Sequence, residues 1–385
     1  MKILIIDDAP DQTLLLSIIL KKLGHSILTA NNSQKALKLL STHNNIHIII
    51  SDWVMPQMNG IQLCDTIRKN NYGRYLYFIL LTSKADNQSV IEGINAGADD
   101  FLTKPVNVDE LKARLQTAFR VIHLEKSLAE KNEALQNALS TIEKDLQVAA
   151  ETQESLLVKP TVLLNKVECK WFFQPSRYLG GDMFGYSVLD DSHVFFYQLD
   201  VSGHGIPSAL FSFTLNNILS NHMNGKIKIF KHPSTLLKLL NQQFSHSSKK
   251  NIYFTILCGV INTTTGQTTL SRAGHPEPIH IQNNQIYKIT TKGGVPIGML
   301  SDQTYQETSL QLKKGDHLFL YSDGLVECEN KNQEQYGDEK LLNFFKKKQG
   351  NNSDAIIQSL HKTITEWHQE ETFQDDVTYL LLKWL

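Results

Sequence analysis

Acidic residues stand at four places after residue 160 where their carboxylates could act together. Each lies in a glycine-rich turn, at the end of an apolar run, or directly before one: Asp182, Asp200, Asp323 and the pair Asp375-Asp376. Strand ends that deliver carboxylates to one place form an oxygen-rich pocket, which suits hard cations such as Mg²⁺ or Mn²⁺. Two such ions side by side can activate water and hold a phosphoryl group. The pattern therefore predicts a metal site for phosphoryl chemistry.

A second set of polar residues follows apolar runs in the first 120 residues: Asp7, Asp8, Asp52, Thr82 and Lys104. The active crevice of a parallel sheet lies beyond the carboxyl ends of its strands, so these side chains are expected to meet there. Three acids would bind a divalent cation, and the cation would let Asp52 act as a nucleophile toward a phosphoryl donor. Lys104 and the Thr82 hydroxyl would then contact the new phosphoryl oxygens.

The elements that must position this second set alternate between strand and helix. Apolar runs at 3–6, 46–50, 76–81 and around Phe101 predict four strands, and residues 11–23 have helical spacing before Gly24. Apolar runs without alternation, separated by helices, indicate a parallel sheet covered on both faces. The predicted fold of this segment is therefore an α/β, doubly wound parallel sheet.

Residues 1–120 resemble the receiver domain of bacterial response regulators, which is flavodoxin-like. The similar stretches are the loop at 52–60, which contains Asp-Trp-Val-Met-Pro, and the strand at 97–105, which ends in Thr-Lys-Pro. Ser83 stands where the family usually has alanine, a departure that leaves the chemistry intact.

The receiver resemblance implies a role for each residue of the set. Asp52 is the phospho-acceptor, and Asp7 and Asp8 hold Mg²⁺ with it. Thr82 and Phe101 form the switch pair, and Lys104 contacts the phosphoryl group. The Lys104–Pro105 bond is a candidate cis peptide. A partner histidine kinase supplies the phosphoryl group.

Residues 121–160 contain apolar residues at intervals of seven: Val121, Leu128, Leu135, Ile142, Ala149 and Leu156. A sustained seven-residue period predicts a coiled coil, here a linker that joins two copies of the chain into a homodimer. The second seam is poor, because it contains polar residues such as Lys131 and Asp145. A weak seam suits a helix that rearranges when the receiver is modified. The alternative is a single amphipathic helix laid on one of the domains.

The last segment, residues 161–385, is rich in aromatic and β-branched residues. Predicted strands are 168–173, 194–199, 253–261, 267–272, 285–290, 317–321 and 377–382. Predicted helices are 207–221, 234–244, 339–347 and 353–370. Many strands with helices grouped between them indicate an α+β sandwich.

This segment resembles the bacterial branch of the metal-dependent PP2C-type serine/threonine phosphatases, the SpoIIE/RsbU-like group. The likeness rests on the acidic motifs and includes the lead-in at 150–157. It implies two Mn²⁺ or Mg²⁺ ions, with Asp200 bridging them, and metal ligands at Asp182, Asp200, the Val201 carbonyl, Asp323, Asp375 and Asp376. It also implies a phosphorylated anti-sigma-factor antagonist as substrate.

Two features depart from the phosphatase pattern. Gly185 occupies a place where many relatives carry a second acid, and Arg177 is only a weak equivalent of the phosphate-gripping arginine of eukaryotic members. The turns at 273–276 and 294–298 match family patterns, and we interpret His275 as structural. None of these removes a predicted metal ligand.

Composition restricts the classes of protein. A net charge of −1 gives no basic excess for nucleic acid or for an anionic membrane. No apolar run approaches the roughly 18 residues of a membrane span. The four cysteines are scattered without metal-ligand spacing, so we interpret them as buried residues of a cytoplasmic protein: Cys64, Cys169, Cys258 and Cys328.

Two other functions fit part of the pattern. The stretch Gly180 to Phe184 differs at one position from the signature of diguanylate cyclases, but that position, Met183, is acidic there, and the later acids have no role in that fold. A phosphatase-like adaptor without metals is the other alternative, which the intact acid set argues against, because carboxylates without a cation repel one another. The predicted function is a response regulator whose output is a metal-dependent phosphatase, controlled through Asp52.

Overall fold

The computed structural model describes residues 1–83, 87–223, 227–245, 252–282, 285–348, 352–370 and 372–385. The chain divides into two compact units, Met1–Thr141 and Ile142–Leu385. One helix, α5 (Val108–Leu156), begins in the first unit and ends in the second. Among the described helices, none combines the length and the apolar character that crossing a membrane requires.

The first unit contains one parallel sheet with the strand order β2-β1-β3-β4-β5. The strands are β1 (Lys2–Ile6), β2 (Ser26–Ala30), β3 (Ile46–Asp52), β4 (Tyr77–Thr82) and β5 (Asp100–Thr103). The helices before α5 are α1 (Pro10–Lys22), α2 (Ser33–Thr42), α3 (Gly60–Lys69) and α4 (Asn87–Asn95). This arrangement confirms the predicted doubly wound fold.

Both faces of this sheet are covered by helices, which explains why apolar and polar residues do not alternate along its inner strands. On β1, Ile3 and Ile5 pack with residues of α1 and α5, whereas Leu4 and Ile6 pack with residues of α2 and α3. Successive side chains of a strand point to opposite faces, so a strand buried on both sides is apolar at every position.

The second unit contains two antiparallel sheets. One has the strand order β14-β11-β10-β9-β8 and the other has the order β13-β12-β15-β16-β7-β6. The strands are β6 (Thr161–Leu163), β7 (Val167–Gln174), β8 (Met183–Asp190), β9 (His193–Val201), β10 (Phe254–Asn262), β11 (Gln267–Ala273), β12 (Ile279–Ile281), β13 (Ile286–Lys288), β14 (Glu307–Gln311), β15 (His317–Tyr321) and β16 (Val377–Trp384).

Helices cover the outer face of each sheet. They are α6 (Ile206–Met223), α7 (Ile227–Phe230), α8 (Pro233–Ser245), α9 (Asp323–Glu327), α10 (Gly337–Lys347) and α11 (Ser353–His368). Phe195 and Tyr197 of β9 pack with α6 and α8, and Phe319 of β15 packs with α10 and α11. The intervening residues Phe196 and Leu318 share one buried cluster between the sheets. The layers are helix, sheet, sheet and helix, which confirms the predicted α+β sandwich.

The four cysteines are free and buried, in agreement with their sequence-based interpretation: Cys64, Cys169, Cys258 and Cys328. They lie in the cores of both units and form no disulfide.

Candidate functional site

The first unit brings the predicted receiver residues together at the carboxyl ends of four strands. Asp7 follows β1, Asp52 ends β3, Thr82 ends β4 and Lys104 follows β5. Ligand atoms of Asp7, Asp8 and Asp52 all lie within 4.8 Å of one another. Three carboxylates this close form a donor set that fits a hard divalent cation.

Lys104 connects this acidic group to the closing strand. Its Nζ lies 2.8 Å from Asp52 Oδ1 and 3.0 Å from Asp7 Oδ2, and the Lys104–Pro105 peptide is cis. Burial raises the pKa of Asp52, and the hydrogen bond from Lys104 opposes that shift. The Asp52 carboxylate is thus held beside the Lys104 ammonium group in a partly enclosed crevice.

The two residues predicted as the switch pair lie on the strands that carry Thr82 and precede Lys104. Thr82 is buried, and Phe101 is half-buried with the Arg114 guanidinium 5.7 Å from its ring centroid. Thr82 ends β4 and pairs with Thr103, whereas Phe101 lies near the start of the adjacent strand β5 and pairs with Leu80.

In the second unit, pairing between strands explains why distant acids meet at one end of the sandwich. Met183 pairs with Leu199, so the start of β8 lies beside the end of β9. Tyr321 pairs with Tyr379, so the end of β15 lies beside the start of β16. The Gln198 side chain donates to the carbonyl of Thr378 at 2.9 Å and joins the two sheets at this end.

The predicted metal ligands occupy these four strand ends. Asp182 directly precedes β8, Asp200 lies in β9, Asp323 follows β15 and Asp375 precedes β16. Among the described residues, they do not form a group as compact as the receiver acids, the one set of three with ligand atoms within 4.8 Å of one another. They are nevertheless close enough to influence one another's charge.

Burial, and then the neighbouring Asp200 and Asp376, raise the pKa of Asp182 well above its ordinary value. Burial, followed by the charges of Asp323, Asp375 and Asp376, likewise raises the pKa of Asp200. The Oδ2 atom of Asp182 is buried and has no hydrogen-bond partner among the described residues. Carboxylates that raise one another's pKa, one of them with an oxygen that has no partner among the described residues, fit divalent cations, which would neutralise them.

The adjacent acids Asp375 and Asp376 differ in their surroundings. Asp376 is buried, and both its oxygens accept hydrogen bonds: Oδ1 from the amide and hydroxyl of Ser176 at 2.8 and 3.0 Å, and Oδ2 from the Gly181 amide at 2.6 Å. Asp375 is exposed, and its Oδ1 accepts from the Asp376 amide at 2.8 Å. Both oxygens of Asp376 are thus engaged in holding the turn that carries Asp182, which leaves Asp375 as the predicted fourth ligand.

Val201 ends β9 with its side chain fully buried, and its carbonyl faces the glycine turn. A Cβ atom added at Gly181 would lie 3.0 Å from the Val201 oxygen. The carbonyl that was predicted to contact a metal thus lies against the turn that leads to Asp182.

The departures from the family pattern have local explanations. A Cβ atom at Gly185 would lie 2.7 Å from side-chain atoms of Tyr197, so the acid that the family pattern implies there has no room. Arg177 is exposed in the turn after β7. His275 is buried, with its Nδ1 2.8 Å from the Thr255 hydroxyl, and burial, then Arg272, lower its pKa to about 3. A neutral, enclosed histidine agrees with a structural role.

Sequence reasoning missed the polar residues that support the acids. Gln153 forms two hydrogen bonds to Gly180. The Ser322 amide donates to the Thr378 carbonyl, and the Ser322 hydroxyl accepts from the Thr378 amide and donates to the Asp376 carbonyl. The stretch at 150–157 resembles the family, but nothing in the sequence indicates that Gln153 contacts Gly180.

Comparison with known proteins assigns both parts of the chain. The family model of stage II sporulation protein E (SpoIIE) matches residues 190–385, and that of the response regulator receiver domain matches residues 3–116. This match and the two-sheet fold overturn the cyclase alternative.

Individual relatives agree with the family models. The chain is 24% identical to phosphoserine phosphatase RsbU of Bacillus subtilis over 258 residues, 66% of this chain and 74% of RsbU. It is 26% identical to phosphoserine phosphatase RsbP of the same organism over 184 residues, 48% of this chain and 45% of RsbP, so it spans less than half of that relative. The SiaA-PP2C domain of Pseudomonas aeruginosa shares the fold, with a TM-score of 0.57 at 17% identity over 64% of this chain and 99% of that domain.

Proposed function

Because the chain belongs to the SpoIIE family and carries a receiver domain, we propose that it is a metal-dependent protein serine/threonine phosphatase controlled by phosphorylation of Asp52. The observation that carries the proposal is the meeting of the acids at one end of the sandwich, where the buried Asp182 Oδ2 has no partner among the residues that the structure describes. Relatives named phosphoserine phosphatases support the same activity.

In this proposal, Asp182, Asp200, Asp323, Asp375 and the Val201 carbonyl hold two Mn²⁺ or Mg²⁺ ions, with Asp376 beside them. When bound, such ions supply an activated water and charge stabilisation for phosphoester hydrolysis. The chain's own residues do the positioning. β9 brings Asp200 and Val201, and Asp376 fixes the turn before Asp182 through the Gly181 amide.

At the receiver, an Asp52 oxygen attacks the phosphorus of a phosphohistidine on a partner kinase. The new O–P bond forms as the N–P bond breaks, and the histidine nitrogen leaves with the electron pair. Asp7, Asp8 and Asp52 would hold Mg²⁺, and Lys104, already 2.8 Å from Asp52, would contact the phosphoryl oxygens. Thr82 and Phe101 would then respond as the switch pair.

We further propose that α5 pairs with the α5 of a second copy, which makes the protein a homodimer. The side chains of Leu128, Leu135, Leu139 and Ile142 are each more than half exposed. That exposure argues against the alternative of a helix laid on one of the domains. A change in the pairing of the linker, residues 121–160, would then couple phosphorylation of the receiver domain, 1–120, to the activity of the phosphatase domain, 161–385.

The proposed substrate is a phosphorylated anti-sigma-factor antagonist, a phosphoserine or phosphothreonine protein. The family resemblance and the names of RsbU and RsbP support a phosphoprotein substrate. The exposed position of Asp375 at the mouth of the site would leave room for a protein surface to approach.

Hydrolysis of p-nitrophenyl phosphate with Mn²⁺ tests the proposal, with and without a small phosphodonor for Asp52. Wild type should turn over, Asp323→Asn should be inactive, and Asp302→Asn, which removes an exposed carboxylate, should match wild type. The phosphodonor should change the rate of ester hydrolysis in wild type and leave that rate unchanged in Asp52→Asn. Absence of both turnover and Mn²⁺ binding at the phosphatase site would instead favour the non-catalytic adaptor.

A further inference from the structure

Near the end of helix α5, both the nitrogen and the oxygen of the Gln153 side-chain amide form hydrogen bonds to Gly180. Gln153 is 1% exposed. Its Nε2 donates to the Gly180 carbonyl at 2.9 Å, and its Oε1 accepts from the Gly180 amide at 3.1 Å. The side chain thus pairs with both main-chain groups of Gly180, as a neighbouring strand would.

Gly180 begins the turn that presents Asp182, and the next residue of that turn is held from a different element. The Gly181 amide donates to Asp376 Oδ2 at 2.6 Å. A Cβ atom at Gly180 would lie 2.8 Å from the same oxygen, and one at Gly181 would lie 3.0 Å from the Val201 carbonyl. Two successive peptides are therefore fixed by side chains in a space that admits only glycine.

A purely apolar contact would not need an amide at this position. Burying a glutamine removes its polar atoms from water and orders a long side chain, so an aliphatic residue would fill the space at lower cost. The amide matches Gly180 because it offers one donor and one acceptor side by side. The recognition is specific to the main chain of the turn.

We propose that Gln153 is a positioning residue, which fixes the Gly180-Gly181 turn so that Asp182 is presented to the metal ions. The inference rests on the proposed phosphatase function and adds a residue outside the acidic motifs. Gln153 would act through Gly180 and would touch neither metal nor substrate.

Three substitutions separate the roles of the amide. Gln153→Met keeps the approximate volume and removes both hydrogen bonds. Gln153→Glu keeps the acceptor and the length but loses the donor to the Gly180 carbonyl. Gln147→Met makes the same change on the same helix at an exposed glutamine, whose recorded contact is to Glu151 at 3.4 Å, and serves as the control.

The decisive measurement is a titration of the full-length protein with Mn²⁺, in which the EPR signal reports the free ion. Because Asp7, Asp8 and Asp52 would bind the same ion, the Mn²⁺ binding curve of Asp323→Asn defines the share of the receiver site. We expect Gln153→Met to require about tenfold more Mn²⁺ for half-saturation of the phosphatase site, since two hydrogen bonds that place a ligand are lost. Gln153→Glu should also weaken binding, and Gln147→Met should match wild type.

Turnover of p-nitrophenyl phosphate by the same variants gives a second readout. Gln153→Met should regain most of its rate at high Mn²⁺ with an unchanged KM for the ester, because the residue does not touch substrate. Wild-type Mn²⁺ affinity in a folded Gln153→Met would overturn the proposal. If Gln153→Met does not fold, Gln153→Glu decides by the same criterion. Wild type that binds Mn²⁺ without hydrolysing any ester would refute the phosphatase and still allow the binding test of Gln153.

Discussion

His317 at the start of β15 illustrates how burial can dominate the charge of a side chain. It is 8% exposed, and its Nε2 has no hydrogen-bond partner among the described residues. Burial, followed by the charge of Lys383, lowers its pKa to about 4. Its folded pKa lies below the ordinary value, so protonation favours the unfolded chain. The stability contributed by neutral His317 is therefore present above pH 6.5 and is lost as the pH falls toward 4.

We expect the free energy of unfolding of wild type to fall by about 2 kcal/mol more than that of His317→Leu between pH 7 and pH 5. Urea unfolding followed by tryptophan fluorescence measures this, since three of the four tryptophans lie in the second unit: Trp171, Trp367 and Trp384. His232→Gln removes an exposed histidine and should keep the wild-type pH dependence. Parallel curves for wild type and His317→Leu would contradict the prediction.

At the scale of elements, α5 carries the exposed apolar residues that the dimer proposal requires. Replacing Leu135 and Leu139 by asparagine should convert a dimer into a monomer, because polar residues at core positions of a coiled coil weaken it. The matched control, with asparagine at Ala134 and Ser140, should remain dimeric, since those residues lie off the seam. Sedimentation velocity over a range of concentrations distinguishes the two. A wild type that is monomeric at every concentration would exclude the pairing.

Several strands that the sequence missed lack the continuous apolar run that marked the strands it predicted. Fully buried β15 was predicted with its observed ends, His317–Tyr321, because every residue is apolar or aromatic apart from the first. β14 (Glu307–Gln311) is polar and alternates between exposed and half-buried positions, so its composition gave no signal. β2 is a half-exposed edge strand. β8 was missed because Gly185 and Ser187 interrupt its apolar pattern.

The acids of the site were predictable because strand ends expose them in recognisable motifs, whereas their supports were not. The contact of Gln153 with Gly180 joins residues 27 positions apart, and that of Gly181 with Asp376 joins residues 195 apart. Such contacts exist only once the sheets and α5 are in place. The sequence likewise predicted a helix from residue 121. The observed helix begins earlier, at Val108, because the last receiver helix continues into the linker without a break.

At the scale of the whole molecule, one helix without glycine or proline carries residues of both compact units. It begins at Val108 and ends three residues after Gln153. Because an α-helix turns by about 100° per residue, its side chains keep a fixed angular relation over its length. We therefore expect the receiver to influence the Gly180 turn through the angular phase and pairing of α5.

Insertions after Asn137 test this dependence on phase, at a point where the helix is exposed. Repeating residues 131–137 adds one heptad and changes the phase by only about 20°, so the phosphodonor should still alter turnover. Inserting two helix-forming residues changes it by about 200° and should abolish that response. Circular dichroism would verify that both variants remain folded. Equal donor responses in the two variants would mean that the signal does not travel through the phase of α5.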